Sequence, residues 1–108
     1  MDELAHIREI FRNSLPTFNA LGDSNRQQII LLLLEIKPKS VQELADRMQL
    51  SRPSISHHLK VLRDARLIEE QKEGTRTYYR LVAGGHIEEL RELLVEIDRI
   101  EKLKKGNA

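Results

Sequence analysis

The chain of 108 residues has no cysteine and no tryptophan, and its only aromatic side chains are two Phe and two Tyr. Without thiols it can form neither disulfides nor thiolate metal sites. The longest apolar run, residues 29–34, is far shorter than the roughly 18 residues that cross a membrane. The acidic start, MDELAHIREI, lacks the basic and then apolar layout of a signal peptide. These absences predict one small soluble intracellular domain, with a core built mainly from Leu, Ile and Val and no membrane partner.

An excess of charge of one sign is also missing, since the net charge is only +1. This low net charge alone disfavours a nucleic-acid partner, but the charged residues are distributed unevenly along the chain. Residues 1–50 carry six basic and seven acidic side chains, residues 51–80 carry seven basic and four acidic, and residues 86–101 carry two basic and six acidic. The positive charge is therefore concentrated in the middle of the chain, which indicates where an anionic partner would bind.

Apolar periodicity and capping residues predict three helices in the first third of the chain. The first spans about residues 2–13. Proline is tolerated in a first helical turn, so Pro16 is expected to start a second, short helix at residues 16–21. Asp23 is a suitable N-cap for a third helix over residues 24–36, whose apolar side chains lie nearly all round and place it in the middle of the domain.

The next segment predicts two helices in close succession. Ser40 and Glu43 form a capping box, which opens a helix ending near Met48. Ser51 caps the following helix, which runs to about Ala65. Helices of this length joined by three or four residues form a helix-turn-helix, although an ordinary antiparallel helical hairpin has the same outline.

After residue 66 the pattern changes to short β-rich runs, LIEEQ and RTYYRLV, separated by KEGT with Gly74 at the turn. A helix-turn-helix followed by a charged hairpin is a winged helix. The predicted fold is mainly α with a small β-hairpin (α+β), a single winged helix-turn-helix domain over residues 1–108, with helix-turn-helix 40–66, wing 67–82 and dimerisation helices 2–14 and 86–104.

The stretch SISHHLK contains adjacent histidines, His57 and His58, which suggest either a metal site or a binding surface. At about 100° per residue, Ile55, Leu59 and Leu62 share one buried face of the helix. His58 falls at the edge of that face and His57 on the opposite side. Neighbouring positions diverge too far to ligate one metal easily, because metal pairs on a helix use spacings of three or four. His58 is expected to be partly buried and satisfied by a backbone group.

The exposed side of this helix and the turn of the hairpin predict a DNA-binding surface. Ser54 and Ser56 are small donors in the half of the helix that enters a major groove, next to His57. The cations of the helix fit phosphate contacts, and Arg76 could reach a minor groove or a phosphate. Simple solvation of His57 and Arg76 is the alternative. The candidate DNA-binding residues are Arg52, Ser54, Ser56, His57, Lys60, Arg63 and Arg76.

Three segments, FNALGDSNRQQIILLLL, VQELADRMQLSRPSISHHLKVLRDARLIEE and KEGTRTYYRL, resemble the ArsR/SmtB family of bacterial and archaeal winged-helix repressors over about residues 18–81. The resemblance implies a cytoplasmic homodimeric transcription factor that releases operator DNA when a small inducer, often a metal ion, binds. It also implies DNA contacts for Ser54, Ser56 and His57, with Arg76 at the wing tip. Two positions depart from the family pattern. Ser24 stands where the family usually has a proline. Arg66 stands where the family has a small residue, often glycine, and the backbone at this position could be left-handed.

The ligands of the family's two common metal sites are mostly missing. The segment that carries a cysteine pair in one class of sensor reads SVQELA here. The positions of the other site, in the last helix, correspond to Gly84, His86, Ile97 and Ile100, of which only the histidine could ligate a metal. We therefore expect no metal site and no cofactor. An unrelated site built from His6, His86 and a carboxylate such as Glu89 remains open.

An apolar stripe on the last helix, together with the first helix, predicts the interface of a homodimer, since a monomer would expose an unusually large apolar patch. The predicted function is a homodimeric repressor that binds double-stranded DNA at a partly palindromic operator, with an unknown inducer. Alternatives are a winged-helix regulator titrated by a protein partner, or a metal-responsive repressor with an unusual site. No nucleophile–base pair or glycine-rich phosphate loop indicates an enzyme. The candidate dimer residues are Leu4, Ile7, Phe11, Ile87, Leu90, Leu94 and Ile97.

Overall fold

The computed structural model describes residues 2–82 and 84–106, apart from the side chain of residue 3. Its elements are α1 (Glu3–Leu21), α2 (Ser24–Leu33), α3 (Val41–Met48), α4 (Arg52–Asp64), β1 (Ile68–Glu73), β2 (Arg76–Leu81) and α5 (Gly84–Gly106). The α+β class and the winged helix-turn-helix architecture are confirmed. Two compact units form: one runs from Pro16 through the hairpin, and the other joins the chain up to Leu15 with α5. None of the helices in the described ranges is long and apolar enough to cross a membrane.

The first two predicted helices are one continuous helix, so the prediction of a break before Pro16 is wrong. A proline inside a helix removes one hydrogen bond and costs about 3 kcal/mol. The buried positions nevertheless continue through it at spacings of three and four, and they are Ile7, Ile10, Ser14, Thr17 and Ala20. One face of the helix is therefore buried on both sides of Pro16, and packing of this continuous face offsets the local penalty of the proline.

Helix α2 begins as predicted but ends three residues early. The Asp23 side chain accepts a hydrogen bond from the Arg26 backbone N–H at 3.0 Å, which confirms the N-cap. Beyond Leu33 the chain turns, because Lys39 forms an isolated β-bridge with Tyr79 of β2, with backbone N–O distances of 3.1 and 2.8 Å. A long-range pairing that the sequence pattern does not show therefore ends the helix.

The core of the first unit lies under the helix-turn-helix. The capping box of Ser40 and Glu43 and the Ser51 cap are both present. The largest fully buried apolar side chains come from α2, α3 and α4, and they are Ile29, Leu44, Ile55, Leu59 and Leu62. They pack in one apolar cluster with smaller residues and with Ile68 at the start of β1.

The hairpin is antiparallel, with its register running from Ile68 opposite Leu81 to Glu73 opposite Arg76. Its two-residue turn starts with Gly74, whose φ of +63° is a conformation that favours glycine. The predicted turn is therefore confirmed, and it places Arg76 at the tip of the wing.

In the second unit the start of α1 lies against α5. Ile7, Ile10 and Leu93 are buried, and a shallow apolar pocket of about 240 Å³ is lined by residues that include Leu4 and Ile97. His6 Nε2 lies 2.6 Å from Glu92 Oε1, and this hydrogen bond raises the pKa of His6. Helix α5 is longer at both ends than the predicted residues 86–104.

Candidate nucleic-acid interface

Helix α4 turns its apolar side inward and its polar side outward, as the helical wheel predicts. Ile55 and Leu59 are buried, whereas Ser56, His57 and Lys60 are exposed. Ser51 Oγ accepts a hydrogen bond from the Ser54 backbone N–H at 3.2 Å, which fixes the first turn. An exposed polar face on a helix held rigidly by its other side is suited to reading the edges of bases in a groove.

A cleft of about 830 Å³ lies between the starts of α3 and α4 and the wing. Three of the candidate DNA-binding residues, Arg52, Ser56 and Arg76, line it together. Its other lining residues come from the first turn of α3 and from the wing, and they are Ser40, Val41, Gln42, Glu43, Thr75, Thr77 and Tyr78. Ser54, His57, Lys60 and Arg63 are not part of the lining. The cleft thus brings side chains of the recognition helix and of the wing together, with two arginines, Arg52 and Arg76, in its lining.

Arg52 is held over this cleft by a residue that the sequence analysis missed. Its Nε donates to Gln42 Oε1, and Gln42 Nε2 donates to Asp46 Oδ1 at 2.6 Å. The relay orients the guanidinium through one nitrogen, and its two terminal nitrogens have no partner among residues 2–82 and 84–106. The sequence did contain an indication of Gln42. The capping box places it in the first turn of α3, and the first helix of a helix-turn-helix crosses the DNA backbone.

The candidate cations differ in how freely they can bind DNA. Lys60 Nζ donates to Asp64 Oδ2 at 2.8 Å and thereby lowers the pKa of that carboxyl. Arg63 forms an ion pair with Glu70 of β1. Arg76, by contrast, has no ion pair within residues 2–82 and 84–106. Lys60 and Arg63 therefore already have a carboxylate partner, whereas Arg76 has none in the described part of the chain.

Glu70 also connects the wing to the recognition helix. Tyr79 Oη lies 3.5 Å from Glu70 Oε1, on the same oxygen that Arg63 contacts. Burial and the charge of Glu70 raise the pKa of Tyr79, so its hydroxyl stays protonated and can donate. Arg63 thus braces the wing in the protein without DNA.

The two adjacent histidines diverge as predicted, with ring centroids 5.8 Å apart and planes inclined by 53°. His57 is exposed and His58 is half-buried. We expected a backbone group to satisfy His58, but its Nδ1 lies 3.4 Å from Nη1 of Arg26. The partner of His58 is therefore a side chain from α2, which a helical wheel of α4 alone cannot show.

The residues present do not fit the metal sites of the ArsR/SmtB resemblance. Of the four positions in the last helix, Gly84, Ile97 and Ile100 offer no ligand atom. His86 is half-buried, and its Nδ1 has no hydrogen-bond partner in the described part of the chain. No three His, Asp or Glu side chains of the described ranges are grouped so that they could hold a metal ion.

Comparison with known proteins identifies this arrangement. The family model for bacterial regulatory proteins of the ArsR family matches residues 23–70, which cover α2, the helix-turn-helix and the start of the wing. The chain is 33% identical to the uncharacterized HTH-type transcriptional regulator MJ1325 of Methanocaldococcus jannaschii, over 82% of this chain and 99% of that one. The chain belongs to the ArsR family.

Solved structures of ArsR-family regulators have the same fold. An ArsR-like transcriptional regulator from Rhodococcus sp. RHA1 superposes with a TM-score of 0.77 at 29% identity, over 89% of this chain and 90% of that one. A possible ArsR-family regulator from Mycobacterium bovis, described as a homodimeric winged helix-turn-helix DNA-binding domain, gives 0.66 at 26% identity, over 87% and 84%. This ArsR-family protein is a winged helix-turn-helix DNA-binding transcriptional regulator. Its family consists of regulators and not of enzymes.

Proposed function

We propose that this regulator is a homodimeric repressor that binds a partly palindromic operator through α4 and the wing. The observation that carries the proposal is the cleft that brings Arg52 and Ser56 of α4 together with Arg76 of the wing. A duplex seated there would meet donors for bases and cations for phosphates on one continuous surface. The exclusion of polymerase from the occupied operator would then repress transcription.

The residue roles follow from exposure and from existing partners. We assign base contacts to Ser54, Ser56 and His57, which lie in the half of α4 that enters a major groove in helix-turn-helix complexes. Arg52 and Arg76 are the first phosphate contacts, because neither must break an ion pair within the described residues. Lys60 and Arg63, which already have carboxylate partners, would add weaker phosphate contacts through their remaining N–H donors.

Exposed apolar side chains support the homodimer. Of the predicted interface residues, Leu4, Phe11, Ile87, Leu94 and Ile97 are exposed in the isolated protomer, whereas Ile7 is buried within it and Leu90 is partly buried. The homodimeric relative from Mycobacterium bovis points the same way. A two-fold dimer presents two recognition helices, which can read half-sites about 34 Å apart, and it doubles the basic surface despite the low net charge.

We further propose that this regulator responds to something other than a metal in the usual family sites, and that it is not an enzyme. The missing ligands in the last helix and the absence of cysteine support a regulator whose inducer is not a metal held in the usual family sites. Membership in a family of regulators supports a cytoplasmic DNA-binding role and no enzymatic one.

Selection from random duplexes tests the proposal, followed by affinity measurements on the selected DNA at several salt concentrations. We expect a partly palindromic sequence. His57→Ala and Ser56→Ala should each weaken specific binding by roughly 10- to 100-fold, as expected for a lost base contact of about 1–3 kcal/mol. Arg76→Ala should weaken binding to all sequences and reduce the salt slope by about one, as expected for a lost phosphate contact.

Arg91→Ala is the matched control, since it removes an exposed arginine from α5 that pairs with Glu88. It should leave affinity and salt slope unchanged. Selection that enriches no sequence at about 100 mM salt would overturn the repressor assignment. Equal specificity in wild type, His57→Ala and Ser56→Ala would overturn only the choice of base-reading residues.

A further inference from the structure

Arg26 lies where the end of α1, the start of α2 and the recognition helix α4 meet. Its Nε donates to the Ala20 carbonyl oxygen at 2.8 Å and its Nη2 to the Asn19 carbonyl oxygen at 3.0 Å. The last carbonyls of a helix have no partner within that helix, so this guanidinium supplies one. Only 15% of the Arg26 side chain is exposed. Arg26 is therefore a fixed donor and not a mobile surface cation.

The remaining guanidinium nitrogen, Nη1, points to the recognition helix and lies 3.4 Å from His58 Nδ1. Arginine has donors and no acceptor, so the hydrogen bond requires an unprotonated Nδ1 on His58. The buried side chains of Ile55, Leu59 and Leu62 hold α4 from one side. The contact between Arg26 and His58 adds a restraint at the edge of that face, and so it helps to fix the direction in which Ser56 and His57 point.

We propose that His58 is a positioning residue, which accepts a hydrogen bond from Arg26 and so fixes the orientation of the DNA-reading face of α4. The inference rests on the proposed DNA-binding function. It gives the adjacent histidines separate roles, in which His57 contacts DNA and His58 holds the helix that presents it.

Asp23 and His57 are the other charged or titratable neighbours of this contact. Asp23 Oδ2 lies 3.9 Å from Arg26 Nη1, and the Asp23 carboxylate also accepts the Arg26 backbone N–H at 3.0 Å. His57 is the titratable neighbour on α4 itself. Asp23 therefore helps to hold Arg26 where its guanidinium reaches His58.

Two substitutions at position 58 separate positioning from simple packing. His58→Asn keeps an acceptor near the place of Nδ1 but cannot be protonated, whereas His58→Leu keeps bulk without an acceptor. At pH 8 we expect His58→Asn to bind the selected DNA within about threefold of wild type, and His58→Leu to lose about tenfold, as expected for one hydrogen bond to a charged group. Binding to random duplex should be unchanged in both, because the phosphate contacts remain.

Wild-type affinity of His58→Leu at pH 8, or an equal loss of affinity in His58→Asn and His58→Leu, would overturn the proposal.

A measurement without DNA tests the contact between Arg26 and His58 independently of the proposed DNA-binding function. Nitrogen-15 spectra of the histidine rings in the intact protein should show His58 with an unprotonated Nδ1 at pH 8, and that signal should shift in Arg26→Gln while the signal of His6 does not. A protonated Nδ1, or no shift, would overturn the positioning contact. The expected spectra together with an absence of specific DNA binding by the wild type would instead contradict the DNA-binding proposal alone.

Discussion

Single residues in unusual backbone conformations mark the two corners of the helix-turn-helix. Gln49, at the end of α3, has a φ of +55°, and Arg66, just after α4, has a φ of +60°. A side chain with a Cβ costs about 1 kcal/mol in this left-handed region. The sequence anticipated the conformation of Arg66 because the resemblance has a small residue there. It gave no such sign for Gln49.

Replacing Arg66 by glycine should therefore raise the free energy of unfolding by about 0.5–1 kcal/mol, since glycine adopts this conformation without strain but is more flexible when unfolded. Urea denaturation measures the change. Arg66→Ala is the matched control, because it removes the same exposed side chain and keeps the Cβ. An equal gain in Arg66→Ala would show that the side chain, and not the backbone, was responsible.

At the scale of elements, the connection between α2 and α3 is tied down by charge. Lys39 is buried, with 6% exposed, and its Nζ lies 3.2 Å from Glu35 Oε1. Arg47 of α3 contacts both Glu35 oxygens, at 3.2 and 3.0 Å. Hydrogen bonds from Arg47 and then Lys39 lower the pKa of Glu35 to about 2. This network holds Lys39 where its backbone pairs with Tyr79 of the wing.

Because the pKa of Glu35 is lower in the folded chain than in the unfolded one, its contribution to stability is full above about pH 4.5 and is lost as the pH falls towards 2. Glu35→Gln should consequently lower the melting temperature clearly at pH 7, and the difference from wild type should shrink by pH 3. Thermal unfolding followed by circular dichroism at both pH values tests this. Glu88→Gln, which removes an exposed pair with Arg91 within α5, should show little difference at either pH. A difference for Glu35→Gln that stays the same at pH 3 would contradict the assignment.

For the whole molecule, we expect DNA binding to depend on assembly into a dimer. The protomer exposes a row of large apolar residues on α1 and α5. A chain of 108 residues has only a small core, so burying these residues against a second copy would add apolar burial that stabilises the dimer. Symmetry makes each interface residue count twice, so one substitution at the interface removes two contacts.

Leu94, with 65% of its surface exposed, is the sharpest test of the interface. Leu94→Glu should shift the protein from dimer to monomer in analytical ultracentrifugation and weaken operator binding by at least about tenfold, because two carboxylates would be buried without partners. Its exposure in the protomer means that folding should be unaffected.

Leu31→Glu provides the control, since Leu31 of α2 is 58% exposed and lies outside the predicted interface. It should remain dimeric and bind DNA as the wild type does. A wild type that sediments as a monomer, or a dimeric Leu94→Glu, would contradict the predicted interface.

Local signals in the sequence determined most elements and the direction of most side chains. The Ser40–Glu43 capping box, the Ser51 cap and the turn glycine Gly74 act within a few residues, so they can be recognised without tertiary structure. The wheel of α4 likewise separated His57 from Ile55, because helical geometry depends only on spacing. These signals, with the motif that they form, were enough to predict a winged helix-turn-helix.

Only the tertiary structure showed the helix bounds and side-chain contacts that depend on residues far apart in the sequence. The continuation of α1 through Pro16 and the early end of α2 follow from burial and from the pairing of Lys39 with Tyr79, which local propensity cannot show. The ion pair of Arg63 with Glu70 and the contact of Arg26 with His58 join residues on separate elements. Helical spacing therefore predicted which side chains of α4 face outward, and the packed chain determined which of them already have a partner among the described residues.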